Sequence, residues 1–288
     1  MKLSIVISTH NKAQYLRLVL LSYCAQTVSK DSFEVVICDD NSTDNTEEVV
    51  KDFCARGLFP IKYVHQVKSK RGRAAGLNTA LRRASGDIVI CSDDDWLFPP
   101  NCIAQHLRMH RHLKNTAVIG RALKMPYINI RQINERKILE GKFIFCNKSK
   151  IYTLKSDMGT VHKAIFTKRG RLKKGIITAE YSFTPNTSVP MPAIKKVGLF
   201  DEHFIKWGNE DVELGFRLYH MAHLDFIFKP ENIIYHLDHK VNITEDKVMN
   251  WLKNVNYQRY KTLAYYYSHK YPIRKEILQI FRKISFPK

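Results

Sequence analysis

The chain contains 288 residues, of which 44% are apolar, so it can bury a hydrophobic core and is not disordered as a whole. Lys and Arg number 47 against 27 Asp and Glu, which gives a formal net charge of +20. A charge of this size predicts affinity for a polyanion or for an anionic membrane surface.

The positive charge is concentrated in two stretches. Residues 121–175 hold 15 Lys and Arg against 3 Asp and Glu, and residues 245–288 hold 10 against 3. Residues 1–120 hold 16 against 12, and residues 176–244 hold 6 against 9. The rest of the chain is therefore close to neutral.

Cysteine usage and hydropathy predict an intracellular location. The six cysteines include no CxxC pair, and Cys38 and Cys91 fall in apolar runs, so we expect reduced, structural thiols. The N-terminal apolar run is too short for a secretory signal, and no run approaches the roughly 18 apolar residues that span a bilayer. We therefore expect a cytoplasmic protein, free or peripheral on the inner face of the cell membrane.

The first 95 residues alternate between short apolar runs and segments with helical spacing. Strands are predicted at residues 3–8, 33–38, 61–65 and 87–91, and helices at residues 12–23, 46–53 and 74–84. Strands that are apolar on both faces and alternate with helices indicate a parallel α/β sheet.

Polar and acidic side chains follow three of these strands. They are Thr9, His10 and Asn11, then Asp39 and Asp40, and then Asp93, Asp94 and Asp95. Because the carboxyl ends of parallel strands meet at one edge, these groups should converge. Adjacent carboxylates repel one another unless a cation offsets the repulsion, and oxygen ligands suit Mg²⁺ or Mn²⁺ bound to a diphosphate. The pattern predicts a metal and nucleotide site in which Asp40 contacts a base or ribose; the alternative is a solvated acidic turn.

Beyond residue 120 the alternation fades into a basic stretch with an exposed loop at residues 168–175. A compact segment resumes near residue 183, with a helix at residues 212–221 and strands at residues 225–229 and 233–236. From residue 245 the sequence is helical, aromatic and basic. It predicts either an interfacial element that binds anionic lipid or a helical cap packed on the domain.

Four segments occur in order: SIVISTHN, VVICDDNSTDNT, RGRAAGLNTALRRASGDIVICSDDDW and KWGNEDVELGFRL. Together they resemble a family 2 glycosyltransferase of the GT-A fold, and WGNED is similar to the chondroitin-polymerase and β-1,4-galactosyltransferase types. The resemblance implies a Rossmann-like, mostly parallel α/β sheet flanked by helices, with a C-terminal helical extension. It also implies a domain at residues 1–244, made of a nucleotide-binding half (1–120) and an acceptor-binding half (121–244), followed by a basic aromatic tail at residues 245–288.

The same resemblance implies roles on the donor side. The nucleotide sugar would be bound by Thr9, Asn11, Asp40, Arg73, Asn78, Asp93 and Asp94. A divalent metal, Mn²⁺ or Mg²⁺, would be held by Asp95, the last acid of the DxD motif, and by His236, with His239 as the competing ligand.

On the acceptor side, the resemblance implies that Trp207, Gly208 and Glu210 meet the acceptor sugar, although Trp207 is equally a candidate for the core. Asp211 would be the catalytic base, with Glu210 beside it. The alternative for Glu210 and Asp211 is a pair of acids that stabilise the first turn of a helix.

These roles imply a bacterial enzyme of polysaccharide biosynthesis that moves a hexosyl or N-acetylhexosaminyl group from a UDP-sugar to a hydroxyl of a glycan or lipid-linked acceptor. One base on the acceptor side, without a nucleophile on the donor side, implies direct displacement with inversion. A nucleotidyltransferase is the alternative enzyme, but residues 8–14 contain no glycine for a phosphate loop. A non-enzymatic nucleic-acid-binding protein is the other alternative, although no nucleic-acid motif accompanies the charge.

The sequence departs from the family pattern at three turns. Ser8 stands where the family commonly has proline or alanine, and Asn41 and Asn209 stand where it has glycine. Because Asn tolerates positive φ better than other non-glycine residues, we expect Asn41 and Asn209 to keep glycine-like turns.

Overall fold

Eight strands form one sheet in the computed structural model, which describes residues 1–66, 72–125, 130, 133–142, 185–205, 208–237, 239, 249–250, 252–258 and 261. The strands are β1 (Leu3–Thr9), β2 (Phe33–Asp39), β3 (Ile61–His65), β4 (Ile88–Ser92), β5 (Trp96–Leu97), β6 (Thr116–Lys124), β7 (Thr187–Pro190) and β8 (Asp225–His236). The helices are α1 (Ala13–Cys24), α2 (Thr46–Arg56), α3 (Gly72–Arg83), α4 (Cys102–His112), α5 (Glu135–Leu139), α6 (Met191–Lys196) and α7 (Glu210–His220).

The sheet is mixed, with the order β3-β2-β1-β4-β7-β6-β8-β5. The first four strands in that order are parallel, and so is the pair β6 and β8. Strand β7 runs antiparallel between β4 and β6, and β5 runs antiparallel to β8. Four of the seven neighbouring pairs are therefore parallel, which confirms the prediction of a mostly parallel α/β sheet.

A separate apolar core covers each face of the sheet. In β1, Leu3, Ile5 and Ile7 pack with buried side chains of α1, α2 and α4. Val6, which points to the other face, packs with buried side chains of α3, α6 and α7. Burial on both faces explains why the strands are continuously apolar. Cys38 and Cys91 are buried free thiols in the second core, as predicted for structural cysteines.

The structure differs from the predicted elements in its second half. The two strands predicted at residues 225–229 and 233–236 form one strand, β8, whose register against β6 shifts between Gly120 and Arg121. Helix α7 begins at Glu210 rather than at residue 212, because the acids before the apolar pattern occupy its first turn. Helices α4, α5 and α6 and strands β5, β6 and β7 were not predicted.

Part of the predicted tail packs on the domain. Residues 252–258 are helical, and Val255 and Gln258 within them are each 7% exposed. The predicted loop at residues 168–175 lies outside the described residues. No helix among the described residues is long and apolar enough to cross a membrane.

A buried polar cluster joins α4 to β7 and to the loop before it. His106 contacts Ser188 Oγ through Nδ1 at 2.7 Å and Asn186 Oδ1 through Nε2 at 2.9 Å. His110 Nε2 contacts the same Ser188 hydroxyl at 2.8 Å. Burial lowers the pKa of each histidine to about 4. Both imidazoles are therefore neutral in the folded protein at neutral pH.

We expect the free energy of unfolding to fall as the pH drops from about 6.5 toward 4. In this window a histidine of the unfolded chain takes up a proton, whereas His106 and His110 in the folded protein resist protonation until about pH 4. The unfolded state then binds more protons, so each histidine contributes a slope of up to about 1.4 kcal/mol per pH unit.

Urea unfolding across this pH range measures the slope. The double variant His106→Gln/His110→Gln should have a shallower pH dependence than the wild type, whatever its absolute stability. His112→Gln, at an exposed position of the same helix, is the matched control and should keep the wild-type slope. Equal slopes for the double variant and the wild type would contradict the assignment.

Candidate active site

The parallel register brings the ends of β1, β2 and β4 to one edge of the sheet. Thr9 lies opposite Asp39 in the β1–β2 pair, and the β1–β4 pair ends with Ile7 opposite Ser92, just before the acid triplet of residues 93–95. Thr9 Oγ1 donates a hydrogen bond of 2.7 Å to Asp94 Oδ2. The predicted convergence of polar groups on this edge is therefore confirmed.

The loop after β1 is fastened to the loop after β2. Asn11 has a φ of 52°, and its Oδ1 accepts a hydrogen bond of 2.7 Å from the backbone N–H of Thr43. Its own N–H donates to Ser42 Oγ at 2.9 Å. Asn41 has a φ of 61°, which confirms the prediction of a glycine-like turn at this position. Asn11 thus fixes the shape of the edge beside Asp40.

The two acids after β2 differ in how their side chains are used. Asp39 is 1% exposed; its Oδ1 accepts a hydrogen bond from the N–H of Ser42 at 2.8 Å, and its Oδ2 accepts one from the Tyr63 hydroxyl at 2.6 Å. Asp40 Oδ1 is also buried but has no hydrogen-bond partner among the described residues. A buried acceptor without a partner is costly unless a ligand or water satisfies it. This makes Asp40 the acid that is available to a ligand, whereas Asp39 and Tyr63 shape the pocket and were not singled out from the sequence.

Asp94 and Asp95, two of the three acids after β4, differ in their partners and in their acidity. Burial, together with the neighbouring Asp95 carboxylate, raises the pKa of Asp94 to about 7. Burial acts in the same direction on Asp95, but hydrogen bonds from His236 and His239 outweigh it, so the pKa of Asp95 lies well below its usual range. Of these two acids, Asp95 is therefore the one that stays charged near neutral pH.

Asp95, His236 and His239 form a cluster whose ligand atoms all lie within 4.8 Å of one another. Asp95 Oδ2 is 3.0 Å from His239 Nε2 and 3.5 Å from His236 Nε2. Strands β5 and β8 hold the cluster together, since Trp96 pairs with His236 and the Leu237 N–H donates to the Asp95 carbonyl at 2.8 Å. A carboxylate and two imidazoles are a donor set that fits a divalent metal. Both candidate histidines adjoin Asp95, so the structure does not require a choice between them.

Lys12 is a further charged neighbour of this cluster. Its ammonium lies 3.3 Å from Asp95 Oδ2 and 4.6 Å from the centre of the Tyr15 ring. Lys12 follows Asn11, the last residue of the first motif, and was not predicted as a site residue.

Arg73 connects the acid triplet to the start of α7. Its Nε donates to Asp93 Oδ1 at 2.6 Å, and its Nη1 donates to Glu210 Oε1 at 2.8 Å. Burial alone would lower the pKa of Arg73, but the charges of Asp93, Glu210 and Asp211 raise it well above its usual value. Arg73 therefore stays charged and binds one acid from each side of the site.

Gly72 allows this placement of Arg73. It has a φ of 76°, and a Cβ built there would lie 1.9 Å from the carbonyl oxygen of Ile205. Only glycine fits this close approach of two backbones at this φ. The beginning of α3 thus lies directly against the segment that leads to α7.

The turn before α7 directs two acids toward Arg73. Gly208 and Asn209 have φ values of 115° and 69°, which confirms the prediction of a glycine-like turn at Asn209. Glu210 is 2% exposed, and its Oε2 accepts a hydrogen bond of 2.9 Å from the Gly208 N–H. The half-buried Asp211 has a pKa raised to about 7 by burial and by the Glu210 charge, against the opposing effect of Arg73. A carboxylate with this pKa suits a general base near neutral pH.

Two further predicted site residues are placed differently or not described. Asn78, which is 2% exposed, donates through Nδ2 to the Phe200 carbonyl and accepts through Oδ1 from the Phe200 N–H, each at 2.9 Å. Its Nδ2 also donates to Glu202 Oε1 at 2.9 Å. These contacts fasten α3 to residues 200–202, so the amide holds the scaffold of the site. Trp207 lies outside the described residues.

The chain is similar in sequence to several known proteins. The chain is 32% identical over 266 residues to the uncharacterised glycosyltransferase YfnE of Bacillus subtilis, covering 84% of this chain and 66% of that protein. It is 30% identical over 225 residues to a chondroitin synthase of Escherichia coli, covering 75% and 32%. It is 29% identical over 231 residues to a validoxylamine A glucosyltransferase of Streptomyces hygroscopicus, covering 75% and 51%. The chain thus spans between about one third and two thirds of the length of these relatives.

Solved structures share the fold. Staphylococcus aureus TarS (residues 1–349), in complex with UDP-GlcNAc, matches with a TM-score of 0.61 and 18% identity over 87% of this chain and 64% of that one. The mannosyltransferase PcManGT from Pyrobaculum calidifontis, in complex with GDP-Man and Mn²⁺, matches with a TM-score of 0.55 and 20% identity over 83% and 57%. At this level of identity the match establishes the GT-A fold alone.

A family model places the chain among the enzymes that its motifs resemble. The model described as glycosyl transferase family 2 matches residues 4–175, more than half of the chain. The chain therefore belongs to glycosyl transferase family 2.

Proposed function

We propose that this protein transfers a sugar from a nucleoside-diphosphate sugar, with UDP as the nucleotide, to a hydroxyl of a glycan or glycolipid acceptor. The observation that carries the proposal is the Arg73 bridge, which joins the acid triplet after β4 to Glu210 at the start of α7. Arg73 thereby holds the acid triplet, the proposed donor side, next to the start of α7, the proposed acceptor side. The family assignment argues against the alternative that the protein is a nucleotidyltransferase.

The donor side would bind the nucleotide through the loops after β1 and β2. The unpartnered, buried Oδ1 of Asp40 supports a contact with an N–H of the base or a ribose hydroxyl. Asn11 holds the adjoining loop, and Thr9 holds Asp94. The solved structures named above contain UDP-GlcNAc and GDP-Man, which favours a hexosyl or N-acetylhexosaminyl donor.

Asp95, His236 and His239 would hold a divalent metal. Two imidazole nitrogens favour Mn²⁺ over Mg²⁺, which prefers an all-oxygen shell. When bound, the ion would act as a Lewis acid that offsets the negative charge of the leaving diphosphate.

Asp211 would act as the base on the acceptor side. In its deprotonated form it can take the proton of the acceptor hydroxyl as that oxygen attacks the sugar, a contribution of about 10²- to 10⁴-fold. Glu210 is held by Arg73 and by the Gly208 N–H, which supports a role in orienting the turn rather than in moving a proton. A single base on the acceptor side favours direct displacement with inversion.

The positive net charge of the chain is the basis for the proposed acceptor. The chain carries a net charge of +20, concentrated in residues 121–175 and 245–288. This surplus supports an anionic glycan or an acceptor linked to an anionic membrane, to which the tail would bind peripherally.

The Asp95→Ala variant should lose metal-dependent binding of UDP. With UDP at roughly 100 times its Kd in the presence of Mn²⁺, the wild type should gain about 2.7 kcal/mol of stability, and the variant should gain none. His236→Ala and His239→Ala should each weaken Mn²⁺ binding. Thermal denaturation with UDP, with and without Mn²⁺, measures the effect. Asp87→Ala, at an exposed acid before β4, is the control; a Mn²⁺-dependent shift in Asp95→Ala would refute the metal assignment.

The Asp211→Asn variant should transfer sugar about 10² to 10⁴ times more slowly, while binding UDP and Mn²⁺ normally. In the wild type, kcat/KM for the acceptor should rise through pH 7, because Asp211 has a pKa of about 7 and is the active base only when deprotonated. The residual activity of the variant should lack this rise. Asp225→Asn, at an exposed acid at the start of β8, is the control. Near-normal turnover in Asp211→Asn would show that another group is the base.

The Arg73→Ala variant should lower the free energy of unfolding by about 2 kcal/mol and weaken both UDP binding and transfer. The reason is that Asp93 and the buried Glu210 lose a charged hydrogen-bond donor at once. Arg82→Ala, which removes an exposed ion pair to Glu202 from the same helix, should cost less than about 1 kcal/mol. Urea unfolding compares the two variants, and equal losses would contradict a central role for Arg73.

A further inference from the structure

We infer that the helical residues 252–258, called the C-terminal helix below, position the acceptor side of the site, and that Asn254 is the positioning residue. Asn254 Nδ2 donates a hydrogen bond of 2.9 Å to the carbonyl oxygen of Gly208. This contact reaches from beyond residue 245 to the turn that presents Asp211. The inference rests on the proposed function, because it assigns Asn254 to the geometry of the proposed base.

The turn at residues 208–211 needs support from outside itself. Two successive residues, Gly208 and Asn209, have positive φ, so their backbone lies outside the regular helical conformation that begins at Glu210. The Gly208 N–H is held by Glu210, whose other carboxylate oxygen is held by Arg73. Asn254 holds the opposite polar group of the same glycine, its carbonyl. Both backbone groups of Gly208 are thus fixed, one by α7 and one by the C-terminal helix.

The C-terminal helix packs against the domain, which holds Asn254 in position for this contact. Val255 and Gln258 are each 7% exposed, so one face of the helix is buried against the domain. The Tyr257 ring packs edge-on against Phe204 at 5.3 Å, and its hydroxyl donates to Asp201 Oδ2 at 3.1 Å.

Lys261 fastens the far end of the helix to two acids. Its ammonium lies 2.7 Å from Asp201 Oδ2 and 2.5 Å from Glu213 Oε1. Glu213 is 2% exposed and lies in the first turn of α7, close in sequence to Glu210 and Asp211. Lys261 therefore pairs with a buried acid in the first turn of the helix that carries the proposed base, an acid that Arg217 also contacts at 2.6 Å. The helix is attached on both sides of the turn, through Asn254 and through Lys261.

This arrangement assigns the C-terminal helix to the acceptor side rather than to the donor side. The donor residues Asp94 and Asp95 receive their hydrogen bonds and ion pairs from the end of β1, from the loop after it and from the end of β8. We therefore expect loss of the Asn254 contact to impair use of the acceptor while donor binding stays intact.

Substitution of Asn254 tests the inference. Asn254→Ala should lower kcat/KM for the acceptor about tenfold, the value of one hydrogen bond, and leave the affinity for UDP with Mn²⁺ within about twofold of wild type. Hydrogen exchange of the backbone amides at residues 208–212 should be about tenfold faster. The midpoint of thermal unfolding should stay close to that of Asn256→Ala, a matched control at an exposed position of the same helix.

Conservative variants separate positioning from packing. Asn254→Gln keeps the amide donor and should recover part of the rate. Asn254→Asp has no N–H to donate and sets a carboxylate against the Gly208 carbonyl, so it should be slower than Asn254→Ala. If Asn254→Ala does not fold, Asn254→Asp replaces it, because it keeps the size of the side chain but lacks the N–H donor, with the same expected increase in exchange at residues 208–212.

The readouts distinguish the two possible failures. Absence of transfer by the wild type from every nucleotide sugar tried would overturn the proposed function, whereas the exchange measurement still tests the contact. The positioning role would be overturned if Asn254→Ala, like the control Asn256→Ala, kept the wild-type rate of amide exchange at residues 208–212 and the wild-type kcat/KM for the acceptor.

Discussion

The Arg73 guanidinium determines the geometry of the whole site, because it is the charge that two acidic turns share. It contacts Asp93 at the end of β4 and Glu210 at the beginning of α7. Without a cation between them, the acids on these turns would repel one another inside a partly buried cleft. Gly72, whose backbone touches that of Ile205, brings α3 close enough for Arg73 to reach both turns. The proposed donor side and the proposed acceptor side therefore meet at one side chain.

The three acids after β4 each lie beside a different set of partners. Asp93 is paired with Arg73, Asp94 accepts from the Thr9 hydroxyl, and Asp95 faces two histidines and Lys12. As a result, the pKa of Asp94 rises while the pKa of Asp95 falls, although the two residues are adjacent. Three carboxylates in a row can coexist because each is balanced by a different element of the fold.

The elements of the first half could be predicted because each is encoded locally. Strands β1, β2 and β4 are short apolar runs that are buried on both faces and end in polar turns, so the local pattern locates them, whereas β3 at the edge of the sheet is only half-buried. Strand β7 has only four residues and pairs antiparallel between β4 and β6, a placement that depends on partners distant in sequence. Strand β8 contains Pro230 and an irregular register against β6, which explains why its pattern resembles two strands.

The sequence by itself determined which residue types stand at the strand ends and, through the family motifs, predicted which acids belong to the donor and acceptor sides. It also predicted that Asn41 and Asn209 keep positive φ, since that preference is a property of the residue. Only the tertiary structure decided which groups meet. Asn78 binds the backbone of Phe200, and the Tyr63 hydroxyl donates a hydrogen bond to Asp39. His236 and His239 both adjoin Asp95, and Asn254 binds the Gly208 carbonyl. The physical reason is that these contacts join segments far apart in the chain, and side-chain pairing across such distances is set by packing of the two cores rather than by any local pattern.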